Sequence, residues 1–203
     1  MGNTNRVSTQ LVLLLGLEKS GKSLFLKKIL ELKKRDSEDI QLEATIGFNY
    51  IQVDQGAKYD IWELGGDAIS RSYWPTFYRN LKAYIVIFFI NVYDKATHWA
   101  ALKELIILIN EEELKAAKFF IIFNIKIDDD DKKLSFNDND MKEVLETVES
   151  LLYYLKECPI HDYDNRVTHF ITDISKMKEG EHMTSTIISR CFMTKESKSQ
   201  LND

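Results

Sequence analysis

Gly16-Leu17-Glu18-Lys19-Ser20-Gly21-Lys22-Ser23 satisfies the spacing G-x4-G-K-[ST], a pattern that cradles phosphate when it joins a strand to a helix. That context is present. Residues 11–15 are continuously apolar, as a strand covered on both faces requires, and Phe25, Ile29 and Leu32 then recur at helical spacing. Glycines let the backbone turn its N–H groups inward, and a helix starting near Lys22 aims its positive end at the same point. The backbone from Gly16 to Leu24 is therefore the candidate phosphate cradle. Lys22 reaches for the β- and γ-phosphates and the Ser23 hydroxyl for Mg²⁺. The bland alternative is a glycine-rich turn closing a strand. A serine-hydrolase elbow is excluded, because G-x-S-x-G needs glycine where Glu18 stands.

Outward from this loop, short apolar runs alternate with longer segments of helical period, the signature of a wound α/β sheet. Residues 48–53 and 58–62 read as two antiparallel strands around the turn Asp54-Gln55-Gly56-Ala57. Residues 83–91 and 118–123 read as buried strands, with a helix from about 95 to 115 between them, and 167–171 as the last strand. Helices near 140–156 and 181–190 complete the layers. The acidic stretch 128–140 reads as a loop in which Asn139 or Asp140 caps the next helix. The expected organisation is one α/β domain over residues 11–193, a six-stranded, mostly parallel sheet flanked by helices on both faces, of the P-loop NTPase type. A short polar extension, 1–10, precedes it and a disordered tail, 194–203, follows.

A chain of 203 residues with 44% apolar and 29% charged side chains supports one well-buried core. Its net charge of −5 argues against a sequence-independent grip on nucleic acid, which needs dense lysine and arginine. Cys158 and Cys191 sit in no CxxC pair and read as reduced, cytosolic thiols. The histidines are dispersed, so no metal beyond nucleotide-bound Mg²⁺ is expected. No apolar run approaches the roughly 20 residues of a spanning helix. Gly2 follows the initiator Met, but the myristoylation pattern wants Ser or Thr where Arg6 stands. Lys27, Lys28, Lys33, Lys34 and Arg35 read as the wet face of a helix, so any membrane contact is expected to be indirect.

Two further segments, Ala44-Thr45-Ile46-Gly47-Phe48-Asn49 and Trp62-Glu63-Leu64-Gly65-Gly66-Asp67, fall at the start of one expected strand and the end of the next. A nucleotide sensor needs two such segments, each held by the γ-phosphate or its metal and released when that phosphate leaves. Thr45 can offer a hydroxyl to Mg²⁺ and Gly66 a backbone N–H to the γ-phosphate. With the later Phe77-Tyr78-Arg79-Asn80, these motifs resemble the Arf and Arl small GTPases from Val12 to about Arg190. They argue against a P-loop kinase or ATPase.

The resemblance implies a GTP/GDP-binding monomeric switch. Its partners are effector, exchange-factor and activator proteins, and its setting is the cytoplasm with ciliary or Golgi association. It also implies that Phe48, Trp62 and Tyr78 form an aromatic triad that effectors read, although rings beside strands are as readily core residues. Arf proteins proper carry an amphipathic N-terminal helix, whereas residues 1–10 are polar.

The chain departs from the family at three places. Asp67 stands where the family's catalytic glutamine stands; an ionised carboxylate lacks the amide donor and adds negative charge, so hydrolysis is expected to be slow unaided. Glu63 is one methylene longer than the aspartate that usually serves the metal shell. The family's N-K-x-D appears as Asn124-Ile125-Lys126-Ile127-Asp128, with one residue extra. Either Asn124 keeps the strand end and Ile125 bulges outward, or Ile125 replaces the asparagine, the first being preferred. Asp128 would then accept from guanine N1 and N2, with the Lys126 stem along the base. Ser175 and Lys176 resemble the second base-contacting loop.

Overall fold

The computed structural model describes residues 9–31, 47–54, 58–125, 138–177 and 190. Six strands form one sheet: β1 (Gln10–Gly16), β2 (Phe48–Asp54), β3 (Lys58–Leu64), β4 (Ile85–Asn91), β5 (Lys118–Asn124) and β6 (Val167–Thr172). Their order is β2-β3-β1-β4-β5-β6. Only the β2–β3 pair is antiparallel; every other neighbour runs parallel. The expected α/β sheet is therefore present.

Side chains alternate across a sheet with period 2, and the three central strands use both sets for burial. Leu13 and Leu15 of β1, Val86, Phe88 and Ile90 of β4, and Phe119, Ile121 and Phe123 of β5 enter one core. Val12 and Leu14, Ile85, Ile87 and Phe89, and Phe120 and Ile122 enter the other. This is why those strands carry no polar alternation: each face is roofed by helices. The helix α1 (Lys22–Glu31) covers the second core with Phe25, Leu26 and Ile29. The first is roofed by α3 (Trp74–Asn80), α4 (His98–Asn110) and α5 (Asp138–Glu157). No helix among the described residues is long and apolar enough to cross a membrane.

Several boundaries differ from the sequence expectation. The helix expected over 95–115 is regular only from His98 to Asn110, with single 3-10 turns at Lys95–Thr97 and Glu112–Leu114. Glu111 interrupts it with extended backbone, φ −66 and ψ 131. Helix α5 begins at Asp138, so residues 138–140 belong to the helix and neither Asn139 nor Asp140 is its cap. Two four-residue helices, α2 (Ala68–Arg71) and α6 (Tyr163–Arg166), are too short for periodicity to announce. Residues 55–57 of the turn and the expected helix 181–190, Arg190 aside, lie outside the described residues, as do both termini.

One buried cation fastens the side of the sheet away from the phosphate loop. Arg166, at the end of α6, is 6% exposed. It donates to the carbonyls of Ile109 at 3.1 Å, Leu114 at 3.0 Å, His161 at 3.2 Å and Ala117 at 3.4 Å. Its guanidinium also lies 5.4 Å from the Phe119 ring centre. Burial pushes its pKa down, partly opposed by Asp162. Five donors in a rigid fork suit this multi-carbonyl clasp better than a lysine would. Arg166→Ala leaves buried carbonyls at the end of α4 and the start of β5 without their donor. We expect it to lower unfolding free energy by about 2–4 kcal/mol, read as a shift in urea midpoint.

Candidate functional site

The phosphate loop lies between the C-terminal end of β1 and the start of α1. Gly21 must be glycine twice over: its φ is +102, and a Cβ would sit 2.5 Å from Nδ2 of Asn124. Lys19 also holds positive φ, 56. The Lys22 side chain folds back under the loop, where its Nζ donates to the carbonyls of Gly16 at 2.9 Å and Leu17 at 2.8 Å, with Ser20 Oγ at 3.5 Å. It is 6% exposed. Burial lowers its pKa from 10.5 to about 8, against the opposing pull of Glu63, Glu18 and Asp67 and with a small further lowering by Arg71.

Beside it, Ser23 Oγ donates to Glu63 Oε1, and Asn49 Nδ2 donates to Glu63 Oε2 at 2.9 Å. Glu63 is fully buried at the end of β3. A hydroxyl and a buried carboxylate at the base of a phosphate loop form an oxygen donor set that suits Mg²⁺, so Ser23 and Glu63 fit the metal the loop pattern implies. The longer glutamate reaches Ser23 directly. Thr45, the other expected metal residue, lies outside the described residues.

The second of the two expected switch segments rests on the loop itself. A Cβ on Gly66 would fall 2.5 Å from the Gly16 carbonyl oxygen and 2.6 Å from the Glu18 nitrogen, so only glycine allows this approach. Gly65 N donates to Gly47 O at 2.8 Å, joining the two segments. Asp67, a candidate catalytic residue, caps α2. Its Oδ1 accepts from Ile69 N and Ser70 N, both at 2.9 Å, and its Oδ2 accepts from the Ser70 hydroxyl. These bonds, the Ser70 hydroxyl first, hold its carboxyl below the usual range.

Asn124 keeps the end of β5, opposite Asn91 and Thr172. It donates from Nδ2 to Ser20 O at 3.2 Å and accepts at Oδ1 from Ile174 N at 3.3 Å. The phosphate loop is thus tied to the turn after β6. Ile125 does not bulge outward; it packs half-buried against the first core while its N–H bonds Thr172 O at 3.0 Å. Lys126 and Asp128 lie outside the described residues. Ser175 and Lys176 form the 3-10 turn Ile174–Lys176, in which Asp173 accepts from Ser175 N at 2.9 Å and pairs with Lys176 at 3.2 Å.

Of the three expected effector-reading rings, two meet. Phe48 and Trp62 lie 5.0 Å apart between centres. Their third neighbour is Phe77, at 5.5 and 5.8 Å, and the Tyr50 ring lies tilted against Trp62 at 4.8 Å. Tyr78 is buried in the first core instead, donating its hydroxyl to Glu111 at 2.9 Å; burial and that carboxylate raise its pKa strongly. Tyr50 could have been found by alternation along β2, two residues after Phe48. Phe77 is Tyr78's neighbour, and no local signal separates them.

A mostly parallel sheet with this loop between its central strand and first helix defines the P-loop fold of the small GTPases. A sequence profile of the ADP-ribosylation factor family matches residues 3–177, and the chain belongs to that family. Similar relatives include ADP-ribosylation factor-like protein 1 of Saccharomyces cerevisiae, 33% identical over 114 residues, and that of Drosophila melanogaster, 32% identical over 114 residues. These matches span 56% of this chain and 58% and 59% of the relatives. Among solved structures, the Arl6 BBS3 small GTPase of Trypanosoma brucei with the bound nucleotide analogue GppNp superposes with a TM-score of 0.64. That alignment covers 95% of this chain and 99% of the other at 19% identity, a likeness of fold.

Lys22 makes the site pH-sensitive. Its folded pKa is depressed, so between about 8 and 10.5 the unfolded chain holds the extra proton on this group, and the contribution of Lys22 to stability improves with pH across that window. A polyphosphate needs the charged ammonium, so binding takes up a proton above pH 8. Affinity for nucleoside polyphosphate should fall by up to about tenfold per pH unit there. Calorimetry in buffers of different ionisation heat reads the uptake, which Lys22→Met should abolish.

Proposed function

We propose that this protein is a guanine-nucleotide switch that binds GTP and GDP with Mg²⁺ and hydrolyses GTP slowly without help. The observation that carries the reading is the phosphate loop, with buried Lys22 beneath it and Gly66 seated upon it. Ser23 and Glu63 would hold the metal, with Thr45 completing the set. When bound, Mg²⁺ supplies positive charge to the β- and γ-phosphate oxygens. The Lys22 ammonium neutralises the same oxygens, and the Gly66 N–H meets the terminal phosphate. Asn124, Lys126, Asp128, Ser175 and Lys176 would read the base.

Asp67 is the argument for slowness. A carboxylate that already accepts from Ile69, Ser70 and the Ser70 hydroxyl has no donor to give and is committed to the helix cap. Turnover therefore calls for an activator that brings a polar group such as an arginine.

The aromatic surface of Phe48, Tyr50, Trp62 and Phe77 is the natural place for effectors. The protein's setting would be membrane or ciliary traffic from the cytoplasm. Within the family, Glu63, residues 110–114 and Phe123-Asn124 resemble most the ADP-ribosylation factor-like protein 16 branch. The capped Asp67 equally favours a second reading, a nucleotide-locked or nucleotide-free scaffold that does not cycle.

Denaturing the purified full chain and chromatographing the released nucleotide separates these. GDP or GTP near one per chain that exchanges with added nucleotide supports the switch; an empty protein, or nucleotide that does not exchange, supports the scaffold, and adenine nucleotide overturns both. Single-turnover assay of GTP-loaded protein should give cleavage slower by several orders of magnitude than activator-stimulated GTPases, which differ from unaided ones by about 10⁵-fold.

A further inference from the structure

The reach of Gly66 to a terminal phosphate depends on how two peptide planes are turned, and two side chains hold those planes. The indole Nε1 of Trp74, buried at the start of α3, donates to the carbonyl of Gly65 at 3.0 Å. Arg71 Nη1 donates to the carbonyl of Gly66 at 2.7 Å. Arg71 is itself anchored, because its Nε pairs with Oε1 of Glu104 on α4 at 3.2 Å. Glycines have no side chain to bias their planes, so consecutive Gly65 and Gly66 would otherwise sample many orientations.

Within a trans peptide the carbonyl and the following N–H point in opposite directions. Fixing the Gly65 carbonyl on the indole therefore turns the Gly66 N–H away from Trp74 and the core beneath it. Fixing the Gly66 carbonyl on Arg71 sets the next plane in turn. The Cα they orient is pressed against Gly16, Leu17 and Glu18.

We infer that Trp74 and Arg71 are positioning residues for triphosphate recognition: by clamping the Gly65 and Gly66 carbonyls they preset the Gly66 amide for a γ-phosphate, which a diphosphate lacks. Neither residue needs to touch the nucleotide. Arg71's hold on a backbone carbonyl and on Glu104 assigns it to the framework of the site. The inference rests on the GTP-binding reading above and adds to it the origin of the preference between the two nucleotides.

The test uses the full chain with Mg²⁺ and two probes, GDP and the non-hydrolysable analogue GppNHp, with dissociation constants measured for wild type, Trp74→Phe, Arg71→Ala and Arg71→Lys. Trp74→Phe keeps an aromatic ring and removes only the N–H donor. It should weaken GppNHp by about tenfold, the worth of one positioned hydrogen bond, and leave GDP within about twofold. Arg71→Ala should act in the same direction, and Arg71→Lys, which can still donate to the Gly66 carbonyl, should recover part of the loss. If Trp74→Phe fails to fold, the Arg71 pair carries the test alone.

An unchanged ratio of the two constants in the folded variants overturns the inference. So does an equal loss for GDP and GppNHp, which would mark a merely structural role. If wild type binds neither probe, the guanine-nucleotide reading itself fails. That outcome is distinct from a wild type that prefers one nucleotide while the variants keep its ratio.

Discussion

The ammonium of Lys22, drawn beneath its own loop by the carbonyls of Gly16 and Leu17, is the interaction on which the site depends. Taking a charge out of water is expensive unless polar atoms replace the water, and here two backbone carbonyls do so. Their inward turn fixes the backbone where β1 ends. It goes with the place of β1 in the middle of the sheet, where Gly16 lies opposite Phe89 of β4 and Leu14 opposite Glu63 of β3. The apolar packing of the two cores thus supports a polar device that could not pack by itself.

What the sequence made legible was local or periodic. The G-x4-G-K-S spacing lies within eight residues, so it could be read without any tertiary contact. Strands β1, β4 and β5 could be read because a strand buried on both faces has no polar alternation to hide. What could not be read depends on groups far apart in the chain. Arg166 gathers carbonyls from residues 109, 114, 117 and 161, and nothing near it in sequence marks it as a clasp. The choice between Phe77 and Tyr78 for the exposed aromatic cluster turns on the rotation of a seven-residue helix. That rotation turns Trp74 and Tyr78 into the core and brings the Tyr78 hydroxyl to Glu111, thirty-three residues away. The cap formed by Asp67 was hidden for another reason: a four-residue helix has no period to reveal that it needs a cap.

Asn124 illustrates how an irregular motif can preserve its structural part. Its two bonds, to Ser20 and from Ile174, come from the last position of β5, which sheet register with β4 and β6 fixes. An extra residue after that point leaves both bonds untouched. Ile125 follows the strand end, keeps its N–H on Thr172 and buries part of its side chain. The tie between the phosphate loop and the turn after β6 therefore rests on Asn124 and the strand register.

The segment from Gly65 to Asn80 is held unequally along its length, and the inequality says which part can move. Helix α2 buries none of its residues, and Ile69 is 75% exposed. Its side-chain hold on the body is the pair Arg71–Glu104, and the Gly65 carbonyl just before it is held by the Trp74 indole. Helix α3 sinks Trp74 and Tyr78 into the first core, with a hydroxyl bond to Glu111 beneath. The Arg79–Glu113 pair, at 3.9 Å on the surface, adds little. Displacing α2 therefore gives up polar contacts that water can replace, whereas displacing α3 gives up about 1.5–3 kcal/mol of apolar burial per large side chain. A rearrangement of this segment would hinge between residues 71 and 74 and carry Gly66 and Asp67 with α2. Tyr78 would stay in place, so a ring that the family resemblance assigned to the effector-read triad belongs instead to the part of the segment that is held fast.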